Sequence, residues 1–348
     1  MIRWKTKLPD VRHAILPSHT TRPNPVVVGS RVFASLFSPG AVVACSKHSG
    51  KVIWKIDLDS YAGSSVTIAG NKLFATSVRT LYALNPTDGA VCWSFTPYGK
   101  PGEWIYSLPA VSLNRVFIGD RKGYFHCLDS KTGERIWSRK LSRGSNNQVN
   151  ATALIAGNRV ITANNDGRVV CYSIKKGETL WRQRIDGACI SEILRLGASV
   201  IVASHALCAL DLPTGRVCWK LKFPDKLVNS ATLSGLLVIA ALGTDFHSRP
   251  DAWEQPSAFQ SELTFIDRGI EIKRKKMGDS FQLRTDSNRA LLYAVGVTAM
   301  KSIRISDGVI LNTRQGQIGL PDTSGGYMYV LAGNGTLFAE AKKPMQAR

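Results

Sequence analysis

The seven cysteines are the residues of this chain best suited to chemistry, and their spacing decides which chemistry they support. They lie at positions 45, 92, 127, 171, 189, 208 and 218. Their number is odd, no two are adjacent, and no pair has the spacing of a zinc or disulfide motif. We therefore interpret most of them as small apolar residues of a protein core, with metal or redox chemistry as the weaker alternative. Free thiols favour a reducing compartment such as the cytoplasm.

The six histidines form no recognisable catalytic or metal-binding set either. They are scattered at positions 13, 19, 48, 126, 205 and 247. The sequence contains no phosphate-binding G-x-x-x-x-G-K-[ST], no G-x-S-x-G nucleophile motif and no H-E-x-x-H metal motif. We predict that the protein is not an enzyme and that it binds no metal or cofactor.

Composition and hydropathy indicate the class of protein and its compartment. Of the 348 residues, 44% are hydrophobic and 20% are charged, which is typical of a globular protein. No run of about 18 apolar residues is present to span a membrane. The N-terminal residues lack the apolar segment of a secretory signal. We therefore expect a cytoplasmic protein with no membrane span.

A Gly-x-x-x-Trp element recurs along the chain and indicates the fold that positions these side chains. A glycine stands four residues before a tryptophan at Gly50 and Trp54, Gly89 and Trp93, Gly133 and Trp137, Gly177 and Trp181, and Gly215 and Trp219. The tryptophans are separated by 39, 44, 44 and 38 residues. A repeat of about 40 to 45 residues is typical of the blades of a β-propeller.

The unit around Trp137 predicts a blade of four short antiparallel strands. SLPAVSLN, RVFIGD, GYFHCLDS and ERIWSRKL each have the length and residue types of a strand, with turn residues between them. One such sheet cannot bury both of its faces, so we expect the blades to stack around an axis. Each tryptophan would then pack against the next blade.

Three further units bring the predicted number of blades to eight. Lys273 follows Gly269 by four residues, Asn312 follows Gly308 in the same way, and Trp4 stands in a matching strand at the N-terminus. We predict that residues 2–8 complete the last blade and close the ring, which removes exposed sheet edges. A seven-bladed ring is the alternative. The predicted domain is a single propeller over residues 1–341, followed by a short basic tail at 342–348.

The repeat resembles that of the quinoprotein-type, or pyrroloquinoline-quinone-like, β-propellers. LDSKTGERIW and LDLPTGRVCW match the L-x-x-x-T-G-x-x-x-W pattern of that family well. The resemblance implies the propeller fold, but the family includes both enzymes and scaffolds. Its quinone-binding members have two adjacent cysteines and an acidic calcium site, and this sequence has neither feature. A small-ligand or quinone-binding propeller therefore remains only an alternative.

Two irregular segments are the predicted contacts for a partner protein. Residues 243–262 form an insertion between the second and third strands of blade 6, and residues 98–107 form a second long connection. Aromatic and arginine side chains often anchor protein interfaces. The candidate residues in these segments are Phe246, His247, Arg249, Trp253, Phe259, Tyr98 and Trp104. The alternative is that these side chains fold back onto their own blades.

The net charge of +20 and the isoelectric point near 9.9 raise the question of an anionic partner. Basic residues concentrate in the predicted fourth strands, which form the outer rim of the ring. The main candidates are Lys273, Arg274, Lys275, Lys276, Lys140, Arg182, Arg184, Lys220 and Lys222. They either protect exposed edges from unwanted strand pairing or attract nucleic acid or an acidic protein.

The sequence thus predicts a non-enzymatic propeller, monomeric by itself, that acts as a scaffold or adaptor in a larger cytoplasmic complex. Binding of nucleic acid or another polyanion through the rim is one alternative function. A role like that of the envelope-assembly propellers of the family is another, against which the missing export signal counts.

Overall fold

In the part of the chain that the structure describes, the regular elements are β-strands and a 3₁₀ turn at Ser287–Arg289. The computed structural model describes residues 2–12, 24–62, 64–97, 105, 107–112, 114–144, 147–189, 191–223, 227–235, 237–243, 261–278, 280–296, 298–316, 318, 321–323 and 327–341. Short strands separated by glycine turns at positive φ produce a series of antiparallel meanders.

Each of the first seven blades is a four-stranded antiparallel sheet in which the strand order follows the sequence. Blade 1 comprises β2 (Val26–Val28), β3 (Arg31–Leu36), β4 (Ala41–Ser46) and β5 (Val52–Asp57). Blade 2 comprises β6 (Thr67–Ala69), β7 (Lys72–Thr76), β8 (Leu81–Leu84) and β9 (Val91–Phe95). Blade 3 comprises β10 (Ala110–Ser112), β11 (Arg115–Gly119), β12 (Tyr124–Asp129) and β13 (Arg135–Lys140).

The next four blades repeat this arrangement with longer strands toward the C-terminus. Blade 4 comprises β14 (Leu154–Ala156), β15 (Arg159–Ala163), β16 (Arg168–Ser173) and β17 (Thr179–Arg184). Blade 5 comprises β18 (Leu194–Leu196), β19 (Ser199–Ala203), β20 (Ala206–Asp211) and β21 (Val217–Lys222). Blade 6 comprises β22 (Leu227–Ser234), β23 (Leu237–Gly243), β24 (Ser261–Asp267) and β25 (Ile270–Gly278). Blade 7 comprises β26 (Ser280–Asp286), β27 (Leu291–Gly296), β28 (Ala299–Arg304) and β29 (Ile310–Gln315).

The eighth blade joins the two ends of the chain. It contains β30 (Tyr327–Leu331), β31 (Thr336–Ala341) and, as its outer strand, β1 (Ile2–Lys7). Strand β1 pairs antiparallel with β31, with Lys5 opposite Phe338. On the inner side an isolated bridge between Asp322 and Tyr329 stands where the other blades have their first strand. The prediction of an eight-bladed ring closed by the N-terminal strand is confirmed.

The hydrophobic core lies between the blades. One layer combines Phe33 and Trp54 of blade 1 with Val66, Leu73 and Leu84 on the side of blade 2. The second and third strands of each blade are covered on both faces by neighbouring blades, so they are apolar without strict alternation. Strand β4, for example, is buried along five of its six residues. A single blade could not supply this burial, which explains why the fold needs the repeat.

Each repeat tryptophan wedges against the third-to-fourth turn of the next blade. Trp137 is 6% exposed, and its indole Nε1–H donates to the carbonyl of Ile174 at 3.0 Å. Its ring lies over Gly177, whose φ is +65° and where a Cβ would approach the indole to 2.6 Å. The same indole donation, at 2.8–3.1 Å, joins Trp4 to Lys47, Trp54 to Pro86, Trp93 to Ser130 and Trp181 to Leu212. The glycine is therefore required both by the backbone angle and by the close approach of the ring.

The two blades that lack the tryptophan do so for different structural reasons. Lys273 of blade 6 faces the turn of blade 7, and its Nζ donates to the carbonyl of Asp307, directly before Gly308. The indoles of the other blades bond the carbonyl three residues before the glycine, so the lysine contacts the same turn at a different point. Asn312 of blade 7 is exposed and has no such turn to pack against. In blade 8 the third strand ends at Ala341 and the fourth begins at Ile2, so no hairpin connects them.

The interpretation of the cysteines as core residues holds for five of them. Cys45, Cys127, Cys171, Cys189 and Cys208 are buried. For Cys92 and Cys218 the interpretation is wrong, because both are exposed. Each of these two directly precedes a repeat tryptophan on an outer strand. Neighbouring residues of a strand point to opposite faces, so a residue beside the inward-facing indole faces solvent.

Candidate protein-binding site

The two faces of the ring differ in their regularity. On one face lie the short turns between third and fourth strands, which repeat with little change. On the other face the long connection after each fourth strand crosses the hairpin between the second and third strands of its own blade. The connection donates a backbone N–H to a glycine of that hairpin at 2.8–2.9 Å in four blades: Leu8 to Gly335, Leu58 to Gly40, Leu141 to Gly123 and Ile185 to Gly167. We call this second face the connection face, and it is the face where variation in sequence is tolerated.

An open groove of about 1140 Å³ lies on the connection face where blades 8, 1 and 2 meet. Its walls are residues 7–12 after β1, residues 38–40 between β3 and β4, residues 58–61 after β5, and Arg79 between β7 and β8. All of these segments are connections of the kind that cross one another on this face. We call this site the blade 1 groove.

Backbone contacts hold the walls of the blade 1 groove together. Arg12 N–H donates to the carbonyl of Ser38 at 2.9 Å, and Ala62 N–H donates to that of Phe37 at 3.2 Å. Gly40 packs so closely on the next wall that a Cβ would lie 1.7 Å from the carbonyl oxygen of Ser60. The groove is therefore a preformed feature of the fold.

Tyr61, which lines the groove, belongs to a stacked aromatic pair with Phe37. The rings of Phe37 and Tyr61 lie 5.0 Å apart at an interplanar angle of 15°. Tyr61 is 52% exposed, so a large amphipathic surface faces the groove. Tyrosine held in this way is a typical anchor of protein interfaces, because little conformational entropy is lost on binding.

The acidic groups of the groove already have partners within the protein. Lys55 Nζ lies 3.3 Å from Asp10 Oδ2 and 3.0 Å from Asp57 Oδ1. The hydrogen bond to Asp57, helped by the one to Asp10, raises the pKa of Lys55 above its ordinary value. The hydroxyl of Thr80 donates to Asp59 Oδ2 at 2.8 Å.

Two arginines of the groove, by contrast, have uncommitted side chains. Arg12 and Arg79 are exposed, and neither guanidinium makes an ion pair or hydrogen bond within the part of the chain that the structure describes. With Lys7, the lining of the groove carries three basic side chains against two carboxylates, Asp10 and Asp59, so its net charge is positive.

The partner contacts predicted from the sequence lie elsewhere or cannot be placed. Strands β23 and β24 flank the insertion at residues 243–262, and Phe246, His247, Arg249, Trp253 and Phe259 within it lie outside the described residues. Tyr98 and Trp104 also lie outside them. These seven residues remain predictions.

Most basic side chains of the predicted rim are engaged in contacts with other residues of the same chain. Lys275 Nζ donates to the carbonyl of Gly308 at 2.6 Å, and Arg274 pairs with Glu271 at 2.6 Å. Arg184 pairs with Asp166, Arg182 bonds the hydroxyl of Thr179, and Lys140 lies over the ring of Tyr124. With Lys273 on the turn of blade 7, only Lys276 has no such contact among the described rim residues.

The pair of rim lysines on blade 5 shows this neutralisation most clearly. Lys220 and Lys222 lie 2.7 Å and 3.0 Å from the same oxygen of Asp186. Hydrogen bonds from Lys220 and then Lys222 lower the pKa of Asp186 to about 2. The assignment of the rim to an anionic partner remains a prediction.

The titratable residues described by the structure form no catalytic or metal-binding constellation. His126 Nε2 lies 2.9 Å from Asp120 Oδ2, and both side chains are 1% exposed, so this pair belongs to the interior of blade 3. Within the described ranges, no group of three or more His, Cys, Asp or Glu side chains could hold a metal ion. The described elements also include no helix long and apolar enough to cross a membrane.

Sequence reasoning missed the blade 1 groove. Its residues come from four separate connections, and no local motif unites Arg12, Tyr61 and Arg79. The available signals were the S-P-G turn at 38–40 and the L-D-S-Y segment at 58–61, which depart from the repeat.

The comparisons with known proteins agree with the geometry of the ring. The family model described as outer membrane protein assembly factor BamB matches residues 2–240. The outer membrane protein assembly factor BamB of Legionella pneumophila is 29% identical over 122 residues, covering 35% of this chain and 30% of the relative. The alignment thus spans less than a third of that curated relative.

Two solved structures share the propeller fold. BamB from Moraxella catarrhalis superposes with a TM-score of 0.60 and 16% identity over 97% of this chain and 98% of that chain. A quinohemoprotein alcohol dehydrogenase from Pseudomonas putida superposes with a TM-score of 0.74 and 12% identity over 100% of this chain and 78% of that chain. At these identities the likeness shows the fold alone. The quinoprotein-type resemblance of the repeat is confirmed by the family model and by the quinoprotein ethanol dehydrogenase of Pseudomonas putida, which is 28% identical over 102 residues.

The predictions of cytoplasmic localisation and of a cytoplasmic complex are wrong, because the matching relatives are named for the assembly of outer membrane proteins. The free thiols were a misleading signal: five of the seven are shielded inside the ring and say little about the redox compartment. Nothing in these relatives' names supports a nucleic-acid partner. Because the family model covers more than half of the sequence, the chain belongs to the family of the outer membrane protein assembly factor BamB.

Proposed function

We propose that this protein is a non-enzymatic, protein-binding propeller that takes part in the assembly of outer membrane proteins. The observation that carries the proposal is the family match over residues 2–240, together with relatives named for that process. A rigid ring with one regular and one variable face suits a scaffold, because the ring holds several binding loops in fixed positions.

The connection face is the proposed binding surface, with the blade 1 groove as its main site. The groove combines an exposed tyrosine with two arginines, which are residue types enriched at protein interfaces. The predicted contacts at 243–262, such as Trp253, and at 98–107, such as Trp104, would extend this surface. Both segments are connections of the same kind as those that form the groove.

The non-enzymatic part of the proposal is supported by the relatives that are named as assembly factors. The titratable groups that line the groove are lysine, arginine, aspartate and tyrosine. Its carboxylates accept contacts from Lys55 and Thr80 and are not poised against a reactive group. General acid–base catalysis needs such a pair within hydrogen-bond reach.

Deletion of the gene in its own host tests the proposal. We expect a lower abundance of β-barrel proteins in the outer membrane, measured by quantitative proteomics of the membrane fraction, and recovery on expression of the natural chain. Arg216→Glu, an exposed charge reversal on the outer rim, should restore the abundance as fully as the natural chain. An outer membrane proteome unchanged by the deletion would contradict the proposed function.

A further inference from the structure

We propose that the blade 1 groove binds an extended acidic segment of a partner polypeptide, with carboxylates on Arg12 and Arg79 and an apolar side chain on Tyr61. That the partner acts in the assembly of outer membrane proteins rests on the proposed function. The acidic and apolar character of the bound segment is argued from the groove alone. It names a class of segment that the family description does not specify.

The shape of the groove favours a polypeptide over a small molecule. Small-molecule sites are usually enclosed cavities, whereas this groove of about 1140 Å³ is largely open to solvent. Its walls come from three blades, and the backbone hydrogen bonds at Ser38 and Gly40 fix their positions relative to one another. An extended chain can follow such an open path, whereas a compact ligand would leave most of it in water.

The aromatic pair provides a point at which the segment can be anchored. Tyr61 stacks on Phe37 and still exposes half of its surface. The backbone beside it is held as well, because Val78 N–H donates to the carbonyl of Tyr61 at 2.8 Å. Burial of this face against an aliphatic or aromatic side chain would therefore require little ordering.

The charge of the groove selects an acidic segment. Lys55 Nζ contacts Asp10 as well as Asp57, and the hydroxyl of Thr80 donates to Asp59. The residues that line the groove include three basic side chains, Lys7, Arg12 and Arg79, against the two carboxylates of Asp10 and Asp59, which leaves a net positive charge. Arg12 and Arg79 have no such partner among the described residues, and a guanidinium binds a carboxylate through two parallel hydrogen bonds. Lys7, on the same wall, uses its Nζ for the carbonyl of Asn334, which leaves the two arginines as the available donors.

Binding of a synthetic peptide is the direct test. The probe is a fluorescein-labelled peptide of alternating glutamate and phenylalanine, and its control has lysine in place of each glutamate. We expect the acidic peptide alone to bind, measured by fluorescence polarisation, with an affinity that falls as salt rises. The double variant Arg12→Glu with Arg79→Glu should weaken binding by about tenfold or more, and Tyr61→Ala by about fivefold or more.

A matched variant and a folding control make the result interpretable. Arg216→Glu changes the charge of the outer rim by the same amount per residue and should leave the peptide affinity unchanged. Each variant is checked for its thermal midpoint, because an unfolded protein would also lose binding. Equal affinity for both peptides, or equal loss in Arg216→Glu and the groove variants, would overturn the proposal.

Cross-linking in the host tests the same site in the full protein. A photoreactive amino acid at position 61 should give adducts that map to acidic segments of another protein, whereas one at Thr87 on the opposite face should not. Adducts only to residues 13–23 of this chain would overturn the proposal. If the deletion strain has a normal outer membrane but the acidic peptide binds, the proposed function fails and this inference stands; the reverse pattern rejects the groove alone.

Discussion

The contact between one glycine and one indole ring is the smallest unit of this fold. Gly177 adopts a φ of +65° and leaves only 2.6 Å between the position of a Cβ and the ring of Trp137. Gly157, in a first-to-second strand turn, has nearly the same φ of +61° but open space around it. The two glycines therefore separate the cost of the backbone angle from that of the collision with the indole.

Alanine substitutions at these two positions should destabilise the protein unequally. We expect Gly157→Ala to lower the free energy of unfolding by about 1 kcal/mol, because alanine is strained at positive φ. Gly177→Ala should lower it by about 3 kcal/mol, since the new methyl group also displaces the indole. Urea unfolding followed by tryptophan fluorescence measures both values. Equal losses would contradict the wedge between neighbouring blades.

The thiols provide a second prediction at the residue scale. Burial raises the pKa of Cys45, Cys127 and Cys189 to about 12 and that of Cys171 and Cys208 to about 11. At pH 8 a thiol-specific reagent should therefore modify only Cys92 and Cys218 in the folded protein, and all seven cysteines in urea. Peptide mass spectrometry identifies the modified sites, and rapid native modification of Cys127 would contradict the buried position.

The same thiols make the stability of the folded protein decrease at high pH. The unfolded chain ionises its thiols near the ordinary pKa of 9.0, while the folded protein keeps Cys45 and Cys127 protonated up to about 12. Their contribution to stability is therefore complete below pH 9 and is lost as the pH rises through that interval. Urea unfolding at pH 7.5 and pH 10.5 should show a lower stability at the higher pH. The decrease should be smaller in Cys127→Ala.

At the scale of the element, the outer strand of each blade is fitted to the third-to-fourth strand turn of the next blade. Arg139 of blade 3 and Lys275 of blade 6 stand two residues after the wedge position and donate to the glycine carbonyls of the next turn, Gly177 and Gly308. Thr6 of blade 8 does the same toward Gly50. The basic character of the outer strands is thus partly a means of joining blades.

Replacement of Lys273 and Asn312, which stand where the other blades have the repeat tryptophan, by tryptophan tests whether each outer strand is fitted to the turn of the next blade. Lys273→Trp should raise the free energy of unfolding by about 1 kcal/mol, because an indole at this position can pack on Gly308 as the other repeat tryptophans pack on their glycines. Asn312→Trp should change it by less than about 0.5 kcal/mol, because the exposed position faces no turn. A substantial gain from Asn312→Trp would show that the account of the blade 7 edge is wrong.

At the scale of the whole molecule, stability depends on closure of the ring by strands from opposite ends of the chain. Trp4 is buried, bonds the carbonyl of Lys47 and packs over Gly50, so β1 holds blade 8 to blade 1. Strand β1 also covers the edge of β31, which would otherwise be free to pair with another chain.

Removal of this closure should affect both stability and association. We expect Trp4→Ala to lower the free energy of unfolding by about 3–5 kcal/mol, and deletion of residues 1–8 to produce dimers or larger species. Calorimetry and size-exclusion chromatography with light scattering measure the two effects. Lys5→Ala, on the exposed side of the same strand, serves as the control and should leave both measurements unchanged. A monomeric deletion variant with normal stability would contradict the role of β1.

The local and periodic features of this protein were readable from its residues. The period of the tryptophans, the glycines at the turns and the match between MIRWKTKL and the other outer strands together predicted eight blades and the closure by β1, because they repeat along the chain. The exposure of Cys92 and Cys218 follows from strand alternation beside the inward-facing tryptophans. The contacts of Lys273 and Asn312 were not readable, because they depend on whether the neighbouring blade supplies a turn.

The blade 1 groove needed the closed ring. Arg12 follows the first strand of the chain, and Tyr61 and Arg79 follow later strands, so their proximity arises only when blade 8 stands beside blade 1. The contacts of Asp10 with Lys55 and of Asp59 with Thr80 also come from other elements. A repeat determines how each blade folds, but the contacts between non-equivalent connections determine which part of the ring is free to bind.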